Sequence, residues 1–384
     1  MNKKTLIIAG CSIIGVIALL LVVVWLMSIF KSKYVGYETV EDKIINASKK
    51  YYKEKPELLP TIDGKYTLSY NTLVDGGYIK PLNELLKDGD ECSAEIYIVK
   101  SGNDYTYIPK LNCGENYASI ELYKQILAKT QVVETGSGLY KDEDGSYYFR
   151  GKATNNYIAL GEKTIKKEKV DILWQILSIS KDGIIKIRSL EPTSTKTDFD
   201  SRFNVEKNSY VGYNDFELGT IHTFLNELAK DDTFLNAEQK AKLVPTQLCI
   251  GMRSEEDNTK DGSTECSILS SDYMLFGTIT PYEYMRASLD EDCLATTDKA
   301  CSNYNFMYDK NAKLQWTITA SPINNYQAYE FDGKYFILSP AKNKKVVYVT
   351  TNLNEFAFYK SGTGTKDDPY RLFKSTKKST TENK

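Results

Sequence analysis

The most apolar stretch of the chain runs from Leu6 to Phe30 and contains no charged residue. A helix of this length measures about 37 Å, which is enough to cross a hydrocarbon core of about 30 Å with some tilt. It exceeds the apolar region of a cleaved signal peptide, and no small-residue cleavage site follows it. Cys11 has a lipobox-like setting, but apolar residues continue beyond it. The pattern predicts an uncleaved signal anchor over residues 1–33, with Cys11 as an ordinary membrane residue.

Shorter periodic stretches after the anchor predict a first module over residues 34–133. Apolar side chains recur at helical spacing through residues 38–55, which is typical of an amphipathic helix. Alternating positions then predict a strand and a hairpin, and a second helical pattern follows. These elements are expected at residues 66–70, at 94–100 with 105–108, and at 117–129. The first module is therefore expected to be a stalk with one long helix and a small sheet.

The Gly- and Ser-rich residues 134–138 predict a linker to a second module over residues 138–374. Most of its periodic stretches alternate like strands, and Asp182-Gly183 predicts a hairpin between two of them. The expected strands are 147–150, 172–179, 184–190, 314–319, 327–331, 335–338, 346–350 and 355–359, and the expected helices are 220–230 and 280–288. Residues 375–384 lack apolar positions and are expected to be disordered. The predicted fold class is α+β, with the second module rich in β-strands.

Six cysteines follow the anchor, and they fall into three pairs that are close in sequence. The predicted disulfides are Cys92–Cys113, Cys249–Cys266 and Cys293–Cys301. Disulfides form in oxidising compartments, so the part after the anchor is expected outside the cell. Lysines flank both ends of the apolar run, and the positive-inside rule is weak for long translocated domains. We therefore expect a single-pass protein of the cell membrane with an extracellular soluble part.

Composition excludes several classes of function. The formal net charge is −2, from 49 basic and 51 acidic residues, so no nucleic-acid partner is expected. The chain has a single histidine and none of the common catalytic, nucleotide-binding or zinc-binding motifs. We therefore expect no catalytic residue, no metal and no cofactor. Two acidic loops, 142–145 and 257–262, depart from the EF-hand pattern, and calcium binding there is left open.

Six short motifs of the second module occur together: GSYYFRG at 145–151, NNY at 155–157, LWQIL at 173–177, TPYEYMRAS at 280–288, WTIT at 316–319 and GTGTKDDPY at 362–370. As a set they resemble a domain of uncharacterised function in Gram-positive bacterial surface proteins. That domain has a fold similar to formylglycine-generating enzymes and C-type lectins. The resemblance covers residues 138–373 and implies a C-type-lectin-like fold. The usual Trp-Arg of the third motif is Trp174-Gln175 here.

The resemblance brings no activity with it. Formylglycine-generating enzymes bind copper through a reactive cysteine pair, whereas the cysteines here are predicted to form disulfides. The sugar-binding loop of C-type lectins has no counterpart, because Glu191-Pro192-Thr193 lacks the amide. The first module faintly resembles a pilin or pseudopilin, but it lacks the prepilin cleavage site.

Location and resemblance together predict a protein that binds a surface ligand without catalysis, the ligand being glycan, protein or wall material. Its candidate loops are 193–214, 253–265 and 290–303, because variable loops on a rigid scaffold concentrate binding residues. Tyr210, Tyr213 and Tyr304 are the candidate contact residues, with ordinary packing as the alternative. A pilus-like or scaffold component and a wall-polymer enzyme are the alternative functions.

Overall fold

The chain divides into two compact units, with the boundary between Ser119 and Ile120. The computed structural model describes residues 34–62, 64–101 and 104–372. The expected anchor from Leu6 to Phe30 and the expected tail 375–384 lie outside these residues. Within the described ranges, no helix is both long enough and apolar enough to cross a membrane. Both units combine helices with antiparallel sheets, so the fold class is α+β.

The first unit packs one long helix against a three-stranded antiparallel sheet. Its elements are helix α1 (Tyr37–Glu54), strand β1 (Gly64–Ser69), short helices α2 (Tyr70–Asp75) and α3 (Leu82–Leu85), and strands β2 (Ser93–Ser101) and β3 (Asp104–Asn112). The sheet order is β1-β2-β3. The predicted apolar stripe of α1 is buried with Ile96, Ile98 and Leu111. The long helix and the hairpin are confirmed, whereas Tyr70 opens α2 and does not continue the predicted strand.

The helix predicted over residues 117–129 is shorter than expected and belongs to the second unit. It spans Leu122–Lys129 (α4), and Leu122 and Ile126 are fully buried in the main core of that unit. Residues 134–137 form a short bent loop before β4, closed by a hydrogen bond of 2.8 Å from Val133 N to Leu139 O. The boundary therefore precedes α4, and the Gly- and Ser-rich stretch is a loop inside the second unit.

The second unit is built on a six-stranded antiparallel sheet. Its strands are β4 (Gly138–Lys141), β5 (Tyr147–Arg150), β6 (Tyr157–Ile165), β7 (Glu168–Ile179), β8 (Ile185–Ser189) and β12 (Thr350–Leu353). The order is β12-β8-β7-β5-β4, and β6 also pairs with β7. Gly183 turns the predicted β7–β8 hairpin with a φ of 86°, which favours glycine. Strand β6 was not predicted, because the register shifts between Ala159 and Glu162 and breaks its alternation.

A second sheet and several short elements complete this unit. They are β9 (Gln315–Ala320), β10 (Gln327–Phe331) and β11 (Phe336–Pro340), the pair β13 (Tyr359–Ser361) and β14 (Arg371–Leu372), and helices α5 (Thr220–Lys230), α6 (Ala237–Lys240) and α7 (Pro281–Ala287). The strands predicted at 346–350 and 355–359 are wrong in extent. Residues 346–349 are buried but lie outside the strands, and the irregular segment after β8 bonds to them through Thr193 N, which donates to Val347 O.

The three predicted disulfides are confirmed. They join Cys92 to Cys113, Cys249 to Cys266 and Cys293 to Cys301. Each bridge closes a short excursion inside one unit. In the chain-entropy model, loops of this size contribute about 2–4 kcal/mol each to the free energy of unfolding.

Strands β7 and β8 present two chemically different faces. Trp174, Ile176 and Ile187 point into the main core, where they join residues of α5. The alternating positions carry Gln175 and Arg188, which lie opposite each other in the register. The row of polar positions extends to Tyr157 on β6, the cross-strand partner of Gln175. This polar face positions the site described next.

Candidate ligand-binding cavity

A cavity of about 410 Å³ opens beside the polar face of the six-stranded sheet. Its walls come from β6, β7 and β8, from the start of β9, and from the segment 306–312 between α7 and β9. Its volume falls within the range of small-molecule sites, about 300–1,000 Å³. The groups that give it chemical character are Tyr157, Gln175, Arg188, Asp309, Gln315 and Lys366.

Arg188 is the buried cation of this cavity. The residue is only 6% exposed to solvent. Nε donates to Gln175 Oε1 at 3.1 Å, and Nη2 donates to Met307 O at 3.2 Å. A guanidinium carries five N–H donors, so these two bonds leave donors unused. Among the described residues Arg188 forms no ion pair, and Asp309 is the acidic residue of the cavity wall.

The Arg188 side chain stays charged at neutral pH despite its burial. Burial lowers the pKa of the guanidinium to about 10, and the nearby Tyr284 and Asp309 oppose that shift. A buried charge without a direct ion pair is unfavourable, because the interior solvates ions poorly. The arrangement therefore suits an anionic group that enters the cavity and accepts the unused hydrogen bonds.

Gln175 holds the guanidinium in place. Its Nε2 donates to Tyr157 Oη at 3.3 Å and to Phe306 O at 3.2 Å. These two bonds orient the side-chain amide so that Oε1 is available to Arg188 Nε. The amide thus links the sheet to the segment 306–312 and positions Arg188 before any ligand arrives.

Gln315 also lines the cavity, but its side-chain oxygen is buried within the wall. The residue is 2% exposed, and its Oε1 has no hydrogen-bond partner. A buried acceptor without a partner costs about 1–3 kcal/mol, so such atoms are uncommon in folded proteins. Asp309, which is half-buried, uses Oδ1 to accept from Asn311 N at 2.8 Å. The exposed Lys366 adds a second positive charge.

A larger cavity of about 560 Å³ lies beside α5 and has a different character. Its floor is apolar, with Trp174 and Phe234 among the lining residues. Its acidic residues already have partners: Glu191 pairs with Lys163, Glu227 pairs with Lys230, and Asp231 accepts hydrogen bonds from Thr233. The Arg188 cavity is therefore the better candidate site, because its buried guanidinium has unused donors and no ion pair among the described residues.

The structure separates the three predicted contact tyrosines. Tyr210 is 70% exposed, and the ring of Phe203 meets it edge-on at 5.1 Å. Tyr213 lies in the same loop, where its Oη accepts from Val205 N at 2.9 Å. Tyr304 directly follows the candidate loop 290–303, and the Lys152 ammonium lies 5.4 Å from the centre of its ring. None of the three lines the Arg188 cavity, and their role in binding stays a prediction.

The predicted loop 253–265 is held by an internal network. Arg253 is fully buried and pairs with Glu265 Oε2 at 2.8 Å. Asp257, the first acidic residue of the possible calcium loop, accepts hydrogen bonds from Thr259 and Thr264. Within the described ranges, the one group with metal-ligand spacing is Asp88, Cys92 and Cys113. Its two cysteines form a disulfide, so they are not available as thiolate ligands.

The chain has no match among protein-family models, among curated proteins or among solved structures. The lectin-like resemblance of residues 138–373 therefore rests on its motifs. Sequence reasoning missed Arg188, Asp309 and Gln315 as site residues. The signal available for Arg188 was a charged residue inside the apolar run from Ile184 to Leu190.

Proposed function

We propose that this chain is a membrane-anchored extracellular binding protein whose second unit holds an anionic ligand at Arg188 without converting it. The observation that carries the proposal is the buried guanidinium of Arg188, which faces a cavity and forms no ion pair among the described residues. The extracellular position and the membrane partner rest on the apolar run from Leu6 to Phe30 and on the three disulfides. The C-type-lectin-like architecture of residues 138–374 belongs to the same proposal and rests on the quoted motifs.

Binding is favoured over catalysis by the composition of the cavity wall. The described lining residues include no Ser, Thr, Cys or His, which are the usual nucleophiles and bases beside a substrate. Asp309 already accepts a backbone hydrogen bond, and Lys366 is exposed. A fixed guanidinium beside a glutamine amide is suited to holding an anion in one orientation.

The experiment compares full-length protein with an Arg188→Met variant. Acidic polysaccharides, neutral polysaccharides and wall fragments are each offered, and retention and ligand mass are measured. We expect acidic polymers to be retained with unchanged mass. We expect Arg188→Met to bind them about 10- to 100-fold more weakly, because a charge-assisted hydrogen bond is lost.

The matched control is Arg371→Gln. Arg371 also lies in the second unit, but it is partly exposed, pairs with Asp171 and does not line the cavity. The Arg371→Gln variant should therefore bind the polymers as tightly as the unmodified protein does. Equal binding by Arg188→Met would refute the proposed site, and shortened ligand products would show an enzyme.

A further inference from the structure

We infer that the larger cavity beside α5 is a second binding site, which takes an organic cation with an apolar body. This inference goes beyond the proposed function, because it concerns another cavity and a ligand of the opposite charge. It rests on two independent features of this cavity of about 560 Å³: its floor is apolar, and the charged residues that line it are all acidic.

The cavity lies beside the C-terminal half of α5. Its walls come from β7, from residues 189–195 at and after the end of β8, from α5 itself and from the segment 231–235. Its volume lies within the range of about 300–1,000 Å³ that is typical of small-molecule sites. The cavity is therefore large enough to enclose the body of a small organic molecule.

The floor of this cavity offers apolar surface that the core leaves uncovered. Phe224, Leu228 and Phe234 pack against the main core, but each stays partly exposed and lines the cavity. Trp174 adds an indole whose polar atom is already used, because Nε1 donates to Leu160 O at 3.0 Å. An apolar group that fills the cavity removes this surface from water, which stabilises the complex.

The two buried hydroxyl groups of the wall already have hydrogen bonds. Ser189 Oγ accepts from Val349 N at 2.9 Å, and Thr193 Oγ1 donates to Thr195 O at 2.9 Å. The buried part of the wall therefore favours an apolar ligand body over a polar one.

The charged residues of the cavity are Glu191, Glu227 and Asp231. The side chains of Glu191 and Glu227 are 61% and 64% exposed, and their partners Lys163 and Lys230 do not line the cavity. Ion pairs this exposed contribute only about 0–1 kcal/mol, and a carboxylate can accept several hydrogen bonds. These carboxylates can therefore accept from a cationic group of a ligand whose body lies on the apolar floor.

The spacing of these three carboxylates favours an organic cation over a metal ion. Within the described ranges, the one group with metal-ligand spacing lies in the first unit, so the cavity carboxylates do not converge on one point. A calcium ion needs about six to eight oxygen ligands around one centre. An ammonium or guanidinium group is held by a single carboxylate through charge-assisted hydrogen bonds.

The test measures binding of small probes to the full-length protein by calorimetry. Phenethylamine carries both features, phenethyl alcohol lacks the charge, and ethylamine lacks the apolar body. We expect phenethylamine to bind about tenfold more tightly than either, because each of the others loses a charge-assisted hydrogen bond or a buried ring. Salt should reduce the preference over phenethyl alcohol, since the carboxylates are exposed. Absent binding of phenethylamine, or an affinity equal to that of either other probe, would overturn the inference.

A double variant, Glu191→Gln with Glu227→Gln, locates the site. It keeps Asp231, which ends α5 and accepts from Thr233 N, so the local structure is retained. The preference for phenethylamine over phenethyl alcohol should fall to about threefold or less, because two of the three charges are lost. An unchanged preference would place the amine elsewhere and contradict the inference.

Two controls separate this site from general charge effects and from the proposed function. Glu206→Gln with Glu256→Gln removes two charges from exposed positions of the second unit that do not line the cavity, and it should keep the preference. Arg188→Met should bind phenethylamine as tightly as the unmodified protein does. Loss of amine binding in Arg188→Met would assign the amine to the other cavity and overturn the inference, whereas a failure of anion binding would refute only the proposed function. The probe series on the unmodified protein decides the inference even if a variant fails to fold.

Discussion

Arg253 and Arg188 are both buried in the second unit, but their surroundings differ. Arg253 pairs with the buried Glu265 at 2.8 Å, and it also donates to Thr296 Oγ1 and to the carbonyl of Thr259. Arg188 has two hydrogen bonds, no ion pair among the described residues, and a cavity beside it. The guanidinium of Arg253 therefore has an ion pair and further hydrogen bonds, whereas that of Arg188 keeps unused hydrogen-bond donors.

This difference shows how a structural charge can be told from a binding charge without any relative to compare. A buried network in which each member has partners fixes the packing of the loop around it. A buried charge with unused donors beside a cavity is a sign of function, because folding alone does not explain its retention. Burial alone does not distinguish the two arginines, because both are buried.

The largest expected effect is the loss of stability in an Arg253→Met variant. Removal of the guanidinium leaves Glu265 buried without a counter-charge, and burial already raises the pKa of that carboxyl. Breaking a buried pair in this way typically costs about 3–5 kcal/mol of unfolding free energy. Denaturant unfolding of the full-length protein measures the change. A loss below about 1 kcal/mol would show that the network is dispensable.

A third buried charge, Glu41 of α1, extends the comparison to the first unit. Among the described residues it has no cationic partner, and Ser119 Oγ donates to its Oε1. Burial raises the pKa of Glu41 from 4.5 to about 7. The folded state therefore keeps the proton at pH values where the unfolded chain has released it.

The sign of the resulting pH dependence follows from that shift. The contribution of Glu41 is fully present below pH 4.5 and is lost as the pH rises towards about 7. At about 1.4 kcal/mol per pKa unit, the loss for the first unit is on the order of 3 kcal/mol. A Glu41→Gln variant should flatten this dependence and be the more stable protein above neutral pH.

The measurement is a series of denaturant unfolding curves across this pH range, read by a probe in the first unit. The exposed Glu57 supplies the control, since Glu57→Gln should keep the dependence of the unmodified protein. An unchanged slope in Glu41→Gln would show that another group is responsible.

The smallest expected effect on stability belongs to Arg188→Met. Methionine removes a buried charge that forms no ion pair among the described residues, but it also leaves Gln175 Oε1 and Met307 O without their donor. We expect a loss of about 1–2 kcal/mol in unfolding free energy, together with the loss of anion binding. Destabilisation as large as that of Arg253→Met would show that Arg188 mainly stabilises the fold, as Arg253 does, and would contradict the proposed difference between the two arginines.

The sequence predicted local elements well, because their signals are local. The stripe of α1, the turn at Gly183 and the three cysteine pairs each depend on residues that are close in the chain. The unit boundary was predicted too late, because residues 134–138 have the composition of a linker but form a short loop. The hydrogen bond between Val133 and Leu139 closes this loop, and the composition of the loop does not reveal it.

The cavity could not be predicted, because its wall is assembled from distant segments. Arg188 meets Gln175 through strand pairing, but Met307 and Gln315 come from a segment more than one hundred residues later. The unusual glutamine after Trp174 was visible in the sequence. Its role as the support of a buried guanidinium depends on the register of β7 and β8.

The two-faced pairing of β7 with β8 also bears on how such a protein can change over time. Trp174, Ile176 and Ile187 build the core, whereas Gln175 and Arg188 alternate with them and face the cavity. Substitutions at the cavity positions can therefore change the polar wall, and with it the choice of the proposed ligand, while the packing underneath is retained. Because successive residues of a strand point to opposite faces, positions that line the cavity can vary while their direct neighbours in the core stay the same.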